Sequence, residues 1–230
     1  MNIETFGMLD LRKAEQLQKD AIALHLSPVP VMLFEAKVFT KNGELKRHIQ
    51  SKSNSWVRNA YNIMPIGIGS FNNTGTTYAG GSSALKNPAG TVRGAGAIMT
   101  YQGNMGPSCE LVAGYGNTAE SLDDYTLTSE FATGSAVNQL TKGSTSNQVT
   151  WVSASHKLVR DVLRYFINNY SAAQEIKEIG LKELTTYAGS GSSPTSEYML
   201  MVRDVLESVI TVEPAEAILF HYRIETLFPS

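Results

Sequence analysis

The sequence has little of several residue types that would point to a particular chemistry. Its 230 residues contain one cysteine, Cys109, so neither an intrachain disulfide framework nor a cysteine-based zinc site within one chain is expected. Charged residues make up 17% of the chain, and the formal net charge is −2. Because no strongly basic field would attract nucleic acid, specific nucleic-acid binding is not expected.

Long apolar runs are also lacking. The chain begins Met1-Asn-Ile-Glu-Thr-Phe-Gly, without the basic and apolar segments of a secretion signal. No stretch approaches the roughly 20 apolar residues that a membrane-spanning helix needs. We therefore expect a protein that is made in a cytoplasm and does not enter a membrane.

Nucleotide and metal motifs are incomplete. The pairs Gly67–Gly69, Gly94–Gly96 and Gly114–Gly116 have Gly-x-Gly spacing, but none extends to Gly-x-Gly-x-x-Gly or is followed by Lys-Ser/Thr. Turn formation therefore explains these glycines better than phosphate binding does. The histidines are scattered singly and form no metal-binding pair; they are His25, His48, His156 and His221.

Two weaker patterns leave room for chemistry. Glu120, Asp123 and Asp124 form a small acidic cluster with oxygen ligands for calcium, although the spacing is not that of an EF-hand and a solvated turn is the simpler interpretation. A Ser-His-Asp triad assembles in space rather than in sequence, so a hydrolase is a minor alternative. Neither pattern identifies a catalytic residue, and we expect a protein that is not an enzyme and binds no cofactor or metal.

The residues that are abundant are typical of β-structure. Glycine reaches 19 residues, and Ser, Thr, Asn and Gln are frequent; these residues suit turns and pleated surfaces better than helix interiors. The pentapeptide Val-Arg-Asp-Val-Leu occurs twice, at 159–163 and 202–206, and each copy precedes a β-like stretch. We predict a mainly β protein, an antiparallel β-sandwich with long Gly/Ser/Asn-rich loops.

Strand patterns are clearest at both ends of the chain. Asn42-Gly43 predicts a tight turn between a strand at 31–39 and a polar return strand at 45–51, whose polarity suggests an edge. The terminal segment alternates strictly, with Phe220, Tyr222 and Ile224 on one side and charged residues on the other. Two sheets are predicted to pack through the inward faces of strands 31–39, 149–154, 158–167, 198–206 and 218–227.

Two segments fit both a helix and a strand. Residues 156–169 and the second pentapeptide copy, within 198–206, place apolar side chains at helical spacing and also on one strand face. Asn168-Asn169, followed by a second apolar run, favours strand–turn–strand.

One helix is predicted with a clear apolar stripe. Within residues 10–26 the stripe recurs at three- and four-residue spacing, and a short internal helix is possible over 53–62. We predict a helical arm over 1–28 and a β-sandwich domain over 29–230 with loop insertions near 65–107 and 133–148. The arm would dock on a neighbouring subunit. The predicted subunit-interface residues are Leu11, Leu17, Leu24, Trp56 and Tyr61.

The order of several short segments resembles a family. These segments are Ser55–Asn62, the strand before Asp124-Tyr-Thr-Leu, Asn168-Asn-Tyr-Ser, Ile176–Leu181, Met201–Leu206 and Ile210–Glu213. Together, over about residues 55–227, they resemble β-rich structural proteins of tailed-bacteriophage virions. The chain departs from the pattern in having Pro214-Ala-Glu where a glycine turn would be more usual. The resemblance implies a non-enzymatic subunit of a virion in its tail or head–tail region.

The expected function is therefore assembly. The chain would form a homo-oligomeric ring or collar through its arm and its sheet edges, with copies of itself and other virion proteins as partners. The alternative is a capsid-surface or tail-fibre-type subunit that recognises a host glycan, for which Tyr78, Tyr101 and Tyr115 are the candidate aromatic contacts. A hydrolase is the less favoured third class.

Overall fold

A computed structural model describes residues 4–5, 16, 19–20, 23, 30–52, 56–57, 59–60, 85–93, 109–188 and 194–228. The described residues are mainly β. The strands are β1 (Glu4–Thr5), β2 (Val31–Phe39), β3 (Leu45–Lys52), β4 (Leu85–Lys86), β5 (Val92–Arg93), β6 (Cys109–Gly114), β7 (Ala132–Thr133), β8 (Gln139–Lys142), β9 (Ser146–Val152), β10 (Lys157–Ile167), β11 (Gln174–Ala188), β12 (Pro194–Val212) and β13 (Ala217–Leu227). A 3-10 turn, Ser153–Ser155, joins β9 to β10.

The chain forms two compact units. The first contains Met1–Asn54, Ala132–Gln174 and Thr211–Ser230, and the second contains Ser55–Phe131 and Glu175–Ile210. An eight-stranded sheet belongs to the first unit, with the order β1-β3-β2-β13-β10-β8-β7 and with β9 also paired to β10. The order β12-β11-β6 forms a three-stranded sheet, and β4 pairs with β5. Residues 29–230, which the sequence predicts as one domain, contribute to both of these units, and the domain boundaries stay a prediction.

Strict alternation gives the eight-stranded sheet one apolar face. β10 pairs with β13 antiparallel without a break, from Lys157↔Leu227 to Ile167↔Ala217. On its other side, β13 pairs antiparallel with β2. Successive side chains of a strand point to opposite faces, so Phe220, Tyr222 and Ile224 share the buried face, as the sequence predicts. The rings of Phe34 and Phe166 each lie 5.6 Å from that of Phe220 between centroids. These aromatic side chains form the centre of the first unit's core.

Tight turns join β2 to β3, as Asn42-Gly43 predicts, and β12 to β13, at Pro214-Ala-Glu. Gly43 has φ +81° between β2 and β3, and its N–H donates to the Thr40 carbonyl at 2.9 Å. Between β12 and β13, Ala215 has φ +63°, and the Glu216 N–H donates to the Glu213 carbonyl at 3.0 Å. Ala215 thus takes a left-handed conformation that glycine adopts at lower cost. The Pro214-Ala-Glu sequence can form this turn without glycine, because the ring of Pro214 fixes the φ of Pro214 itself, immediately before Ala215.

The second unit has its own apolar core. Val57, Val112, Leu127 and Leu200 form a buried cluster. β11 pairs antiparallel with β6 from Glu178↔Gly114 to Glu183↔Cys109, and Leu127 of the segment that follows β6 belongs to the buried cluster. The second copy of the pentapeptide lies inside β12, and the first lies inside β10. Both ambiguous segments are therefore strands, as Asn168-Asn169 favours.

Three predicted features differ from the structure or lie outside it. The β-sandwich is not confirmed, because β2, β9, β10 and β13 belong to a single sheet and therefore cannot pack against one another face to face. The 133–148 range is not one loop, since β8 and the start of β9 lie in it. No helix element is defined among the described residues of 10–26 and 53–62. Residues 16, 19, 20, 23, 59 and 60 have helical backbone, Trp56 and Val57 do not, and the other positions of both ranges lie outside the described residues.

One buried side chain joins the turn after β10 to the turn before β13. The Asn168 amide donates to the carbonyls of Ala172 (2.9 Å) and Val212 (2.8 Å), and its oxygen accepts from the Tyr170 N–H at 3.0 Å. Its backbone pairs with Glu216 and Ala215 at 3.0 and 2.7 Å. Because Asn168 is fully buried, water cannot replace these bonds.

We predict that Asn168→Ala destabilises the protein by about 2–4 kcal/mol, because it removes three hydrogen bonds of a buried side chain and leaves the carbonyl of the buried Val212 without its side-chain partner. Asn169→Ala is the matched control. Asn169 is exposed and donates one side-chain bond, to Thr141 Oγ1 at 2.7 Å, so its loss is expected to cost less than about 1 kcal/mol. Urea unfolding followed by fluorescence measures both, and equal effects would show that Asn168 is not the joining residue.

Candidate functional site

A network of charges crosses the polar face of the eight-stranded sheet. The register places Glu35 opposite both His221 and Gln50, and Asp161 opposite Arg223. His221 lies between two carboxylates, with Nε2 2.6 Å from Asp161 and Nδ1 3.3 Å from Glu35. His48 Nε2 lies 2.6 Å from the other oxygen of Glu35. Four strands are thus linked by side chains that are far apart in the sequence.

Glu35 is held in its ionised form. Burial raises the pKa of Glu35, but hydrogen bonds from Lys37, Gln50, His48 and His221 lower it more, to about 2. A general base that works near neutral pH needs a pKa close to that pH. The carboxylate therefore has the properties of a structural ion rather than of a proton acceptor in catalysis.

This network makes stability depend on pH. The folded-state pKa of Glu35, about 2, lies below its ordinary value of 4.5, so its contribution is fully present above pH 4.5 and is lost as the pH falls towards 2. We predict that Glu35→Gln removes about 1–2 kcal/mol at pH 7, a figure reduced for partial solvent contact, and little at pH 2. Melting temperatures of wild type and variant should converge on acidification.

The control for this prediction is Glu175→Gln. Glu175 is mostly exposed and pairs with Lys177 at 3.0 Å, an exposed pair that contributes little. A Glu35→Gln variant whose destabilisation is the same at pH 7 and pH 2 would contradict the ionic role.

A buried arginine organises the second unit. Arg203 Nε donates to Glu178 at 2.8 Å, and its terminal nitrogens donate to Asp124, to the Thr118 carbonyl and to Thr128 Oγ1, each at 2.8 Å. Arg203 and Glu178 side chains are 1% and 0% exposed. Burial lowers the pKa of Arg203, but the bonds and charges of Asp124 and Glu178 raise it above its ordinary value. The guanidinium is therefore permanently charged and fixes the 118–128 segment to β12.

The surroundings of Arg203 and Glu178 explain two features of the sequence, the Gly-x-Gly pair at 114–116 and part of the acidic cluster. A Cβ on Gly116 would lie 2.5 Å from Glu178 Oε1, and one on Gly114 would lie 2.7 Å from it. Because these glycines have no side chain, the Glu178 carboxylate fits beside them and accepts hydrogen bonds from the N–H groups of Thr128 and Ser129. The anion beside this Gly-x-Gly pair is therefore Glu178, where a nucleotide motif would hold a phosphate. Of the acidic cluster, Asp124 binds Arg203, and Glu120 accepts the Val205 N–H at 2.6 Å.

We predict that Arg203→Met destabilises the protein by about 3–5 kcal/mol, because it leaves the buried Glu178 charge uncompensated. Arg223→Met is the control, since Arg223 is 44% exposed and contacts Asp161 and Glu225 at 3.5 and 3.3 Å; its loss should cost less than about 1 kcal/mol. Thermal and urea unfolding measure both variants. Similar losses for the two arginines would contradict the organising role of Arg203.

Strand β9 forms an exposed edge of the eight-stranded sheet. It pairs with β10 on one side, and no other strand of the described residues pairs with it. Its sequence, Ser146-Asn-Gln-Val-Thr-Trp-Val152, has no charged residue and no proline. Val149, Trp151 and Val152 are 49%, 52% and 37% exposed. The strand predicted at 149–154 is therefore present, but it lies at the surface and not in a core.

An aromatic cluster fixes one end of this edge. The Trp151 ring lies 5.6 Å from that of Phe228 in an edge-on arrangement and 6.4 Å from that of His156 in a stacked one. The Phe228 N–H donates to the His156 carbonyl at 2.8 Å, which holds the three rings together. Large exposed apolar side chains grouped in this way are typical of a contact surface.

The predicted interface residues are only partly described. Leu11, Leu17, Leu24 and Tyr61 lie outside the described residues, so their roles stay predictions. Trp56 is half-buried and forms an antiparallel bridge to Val202, which places its backbone beside β12. Of the tyrosines considered for glycan binding, Tyr115 packs edge-on against Phe131 at 5.2 Å, and Tyr78 and Tyr101 lie outside the described residues.

Within the described residues, neither a metal-binding cluster nor a membrane-spanning helix is present. No three His, Cys, Asp or Glu side chains there are placed to hold a metal ion. In the same part of the chain, no helix has the length and apolar character that crossing a membrane requires.

Comparisons with known proteins leave the family open. No family model matches the chain, and neither a curated protein nor a solved structure is significantly similar to it. The resemblance to tailed-bacteriophage virion proteins therefore stays a prediction from sequence, and the β9 edge is the feature from which a function is argued.

Proposed function

We propose that this protein is a non-enzymatic structural subunit of a homo-oligomeric assembly, and that the assembly is a ring or collar in the tail or head–tail region of a bacteriophage particle. The exposed and uncharged edge strand β9 is the single observation that carries the assembly role. The sequence resemblance carries the assignment to a virion and the other virion proteins as further partners.

An open sheet edge is a hazard for a protein that remains alone. Monomeric β-proteins protect such edges with charged side chains, proline, bulges or a covering segment, because unpaired backbone groups otherwise recruit other chains. β9 has no charge and no proline over seven residues. Its exposed side chains include Val149 and Trp151. An edge without protection is expected when a partner covers it.

The opposite edge of the same sheet is different. β3 contains Lys46, Arg47 and His48, and β1 pairs with it in parallel at Ile49 and Gln50. Charge and a covering strand are two of the devices by which edges avoid pairing. The contrast between the two edges supports a role in assembly for β9 in particular.

The N-terminal arm supplies the second contact in this proposal. An apolar stripe recurs at three- and four-residue spacing, formed by Leu11, Ala14, Leu17, Ala21 and Leu24, and an amphipathic helix binds a groove through such a stripe. Rings need subunits that contact two neighbours. The arm and β9 together would provide two separate contacts on each copy.

We predict that the purified protein is oligomeric in sedimentation velocity and forms closed particles in electron micrographs. Changing Leu11, Leu17 and Leu24 to Ser should reduce the size of the assembly, because the apolar stripe is lost. The control changes Lys13 and Asp20 to Ser, which keeps both the stripe and the net charge. A wild-type protein that stays monomeric at every concentration would contradict the proposed function.

A further inference from the structure

On the basis of the proposed homo-oligomeric function, we infer that β9 pairs antiparallel with β9 of a second copy about a twofold axis, with Val149 opposite the Val149 of that copy. The eight-stranded sheets of two subunits would then form one continuous sheet. The occupant of this edge is a second copy of the chain. Four features of the strand and its surroundings support this choice.

The backbone groups of Val149 and Trp151 point away from β10. The Gly143 N–H donates to the Tyr165 carbonyl at 2.9 Å, so alternate residues of β10, counted from Tyr165, direct their backbone groups towards the β8 and β9 side. Their partners on β9 include Gln148 and Thr150, which point back towards β10. In an antiparallel strand the intervening residues face the other way, which places the Val149 and Trp151 groups at the outer edge.

The length and composition of β9 are compatible with a pairing centred on Val149. Val149 is the middle residue of the seven in β9, so this register pairs the whole strand, and two opposed Val149 residues would exchange both backbone hydrogen bonds. Directly opposite like charges destabilise a strand pair, and β9 contains none. The strand is therefore compatible with itself.

The pairing also extends the apolar face of the sheet. Trp151 lies opposite Leu158 and Val149 lies opposite Arg160 on β10, and both β10 residues share the face that carries Tyr222 and Ile224. About a twofold axis perpendicular to the sheet, opposed residues keep their side chains on one face. Trp151 would thus lie diagonal to the second copy's Val149, within reach of a large ring. Val149 and Trp151 of each copy would then be partly covered by the other copy.

Pairing of β9 with the other edge is disfavoured. It would meet the positive residues of β3 and would have to displace Glu4–Thr5 from Ile49 and Gln50. A head-to-tail contact of that kind continues indefinitely unless its rotation closes, whereas a twofold contact closes with two copies. The aromatic cluster of Trp151, His156 and Phe228 already holds the outer end of β9 in position, which lowers the ordering cost of pairing.

The proposed β9–β9 contact is small, and we therefore expect it to be weak. Seven residues from each strand bury less than the roughly 800 Å² per partner of a standard interface. The β9 pair is therefore expected to dissociate on dilution when it is alone and to be maintained by the arm contact in the complete ring. A ring built from twofold pairs has two layers, so the number of subunits in it should be even.

The first test is a disulfide. Opposed hydrogen-bonded residues have Cα atoms about 5.5 Å apart, within the range that a disulfide spans. Val149→Cys in the full chain should give a covalent dimer on mild oxidation, in a non-reducing gel. Thr150→Cys is the matched control, because in this register the two Thr150 residues are offset along the strands, and wild type controls for the buried Cys109. Equal cross-linking at 149 and 150 would overturn the register.

The second test is a charge exchange. Val149→Lys alone and Val149→Glu alone should each weaken the twofold contact about tenfold or more, since like charges then lie opposite each other. An equimolar mixture of the two variants should restore it, because each Lys then faces a Glu. Sedimentation velocity at several concentrations measures all three samples.

The outcomes separate the two proposals. Loss in each variant with recovery in the mixture supports the twofold pairing. An oligomeric wild type whose size neither single variant changes would overturn the β9 contact and leave the assembly role in place. A wild type that is monomeric at every concentration would overturn both.

Discussion

The unbroken antiparallel pairing of β10 with β13 is the constraint on which the first unit depends. Over eleven residue pairs, from Lys157↔Leu227 to Ile167↔Ala217, it fixes which side chains share a face. A shift by one residue would exchange the faces, placing Tyr222 and Ile224 in water and the His221 network in the core. The turn after β10 and the turn before β13 lie at the same end of this pairing and oppose such a shift, because Asn168 bonds to both of them. The position of Trp151 on the apolar face follows from the same register.

Buried polar groups specify each unit separately. The two copies of Val-Arg-Asp-Val-Leu each bury their arginine, but in different surroundings. Arg160 Nε donates to Asn147 on the neighbouring strand at 2.9 Å, and this bond links β9 to β10. Arg203 instead donates hydrogen bonds to Glu178 and Asp124 and thereby binds the 118–128 segment. Burying a charge is unfavourable unless partners compensate it. The carboxylates of Asp124 and Glu178 compensate the charge of Arg203, and identical pentapeptides end in different structural roles.

Alternation along the chain predicts strands and faces but not neighbours. The Asn42-Gly43 hairpin and the inward side of β13 follow from local pattern, because turn chemistry and period-two spacing are properties of adjacent residues. Strand order depends on contacts between distant segments, such as Glu35 with His221, which are 186 residues apart. For that reason Val149 and Trp151 were expected to face a core. Their pattern is that of a core strand, and only the sheet order shows that β9 is at the edge.

This discrepancy itself bears on function. A strand with the composition of an interior strand, placed at an edge, has the chemistry of a position that another strand covers. Strand addition satisfies backbone groups and covers apolar side chains in one step, and a chain that pairs with itself needs no second gene product to do so. The opposite edge contains basic residues and is covered by β1, so under the proposal strand addition at β9 would end after one event. In the proposed assembly, closed growth of this kind would avoid the fibres that an uncharged edge at both sides would produce, and the arm would be the contact that sets the size of the ring.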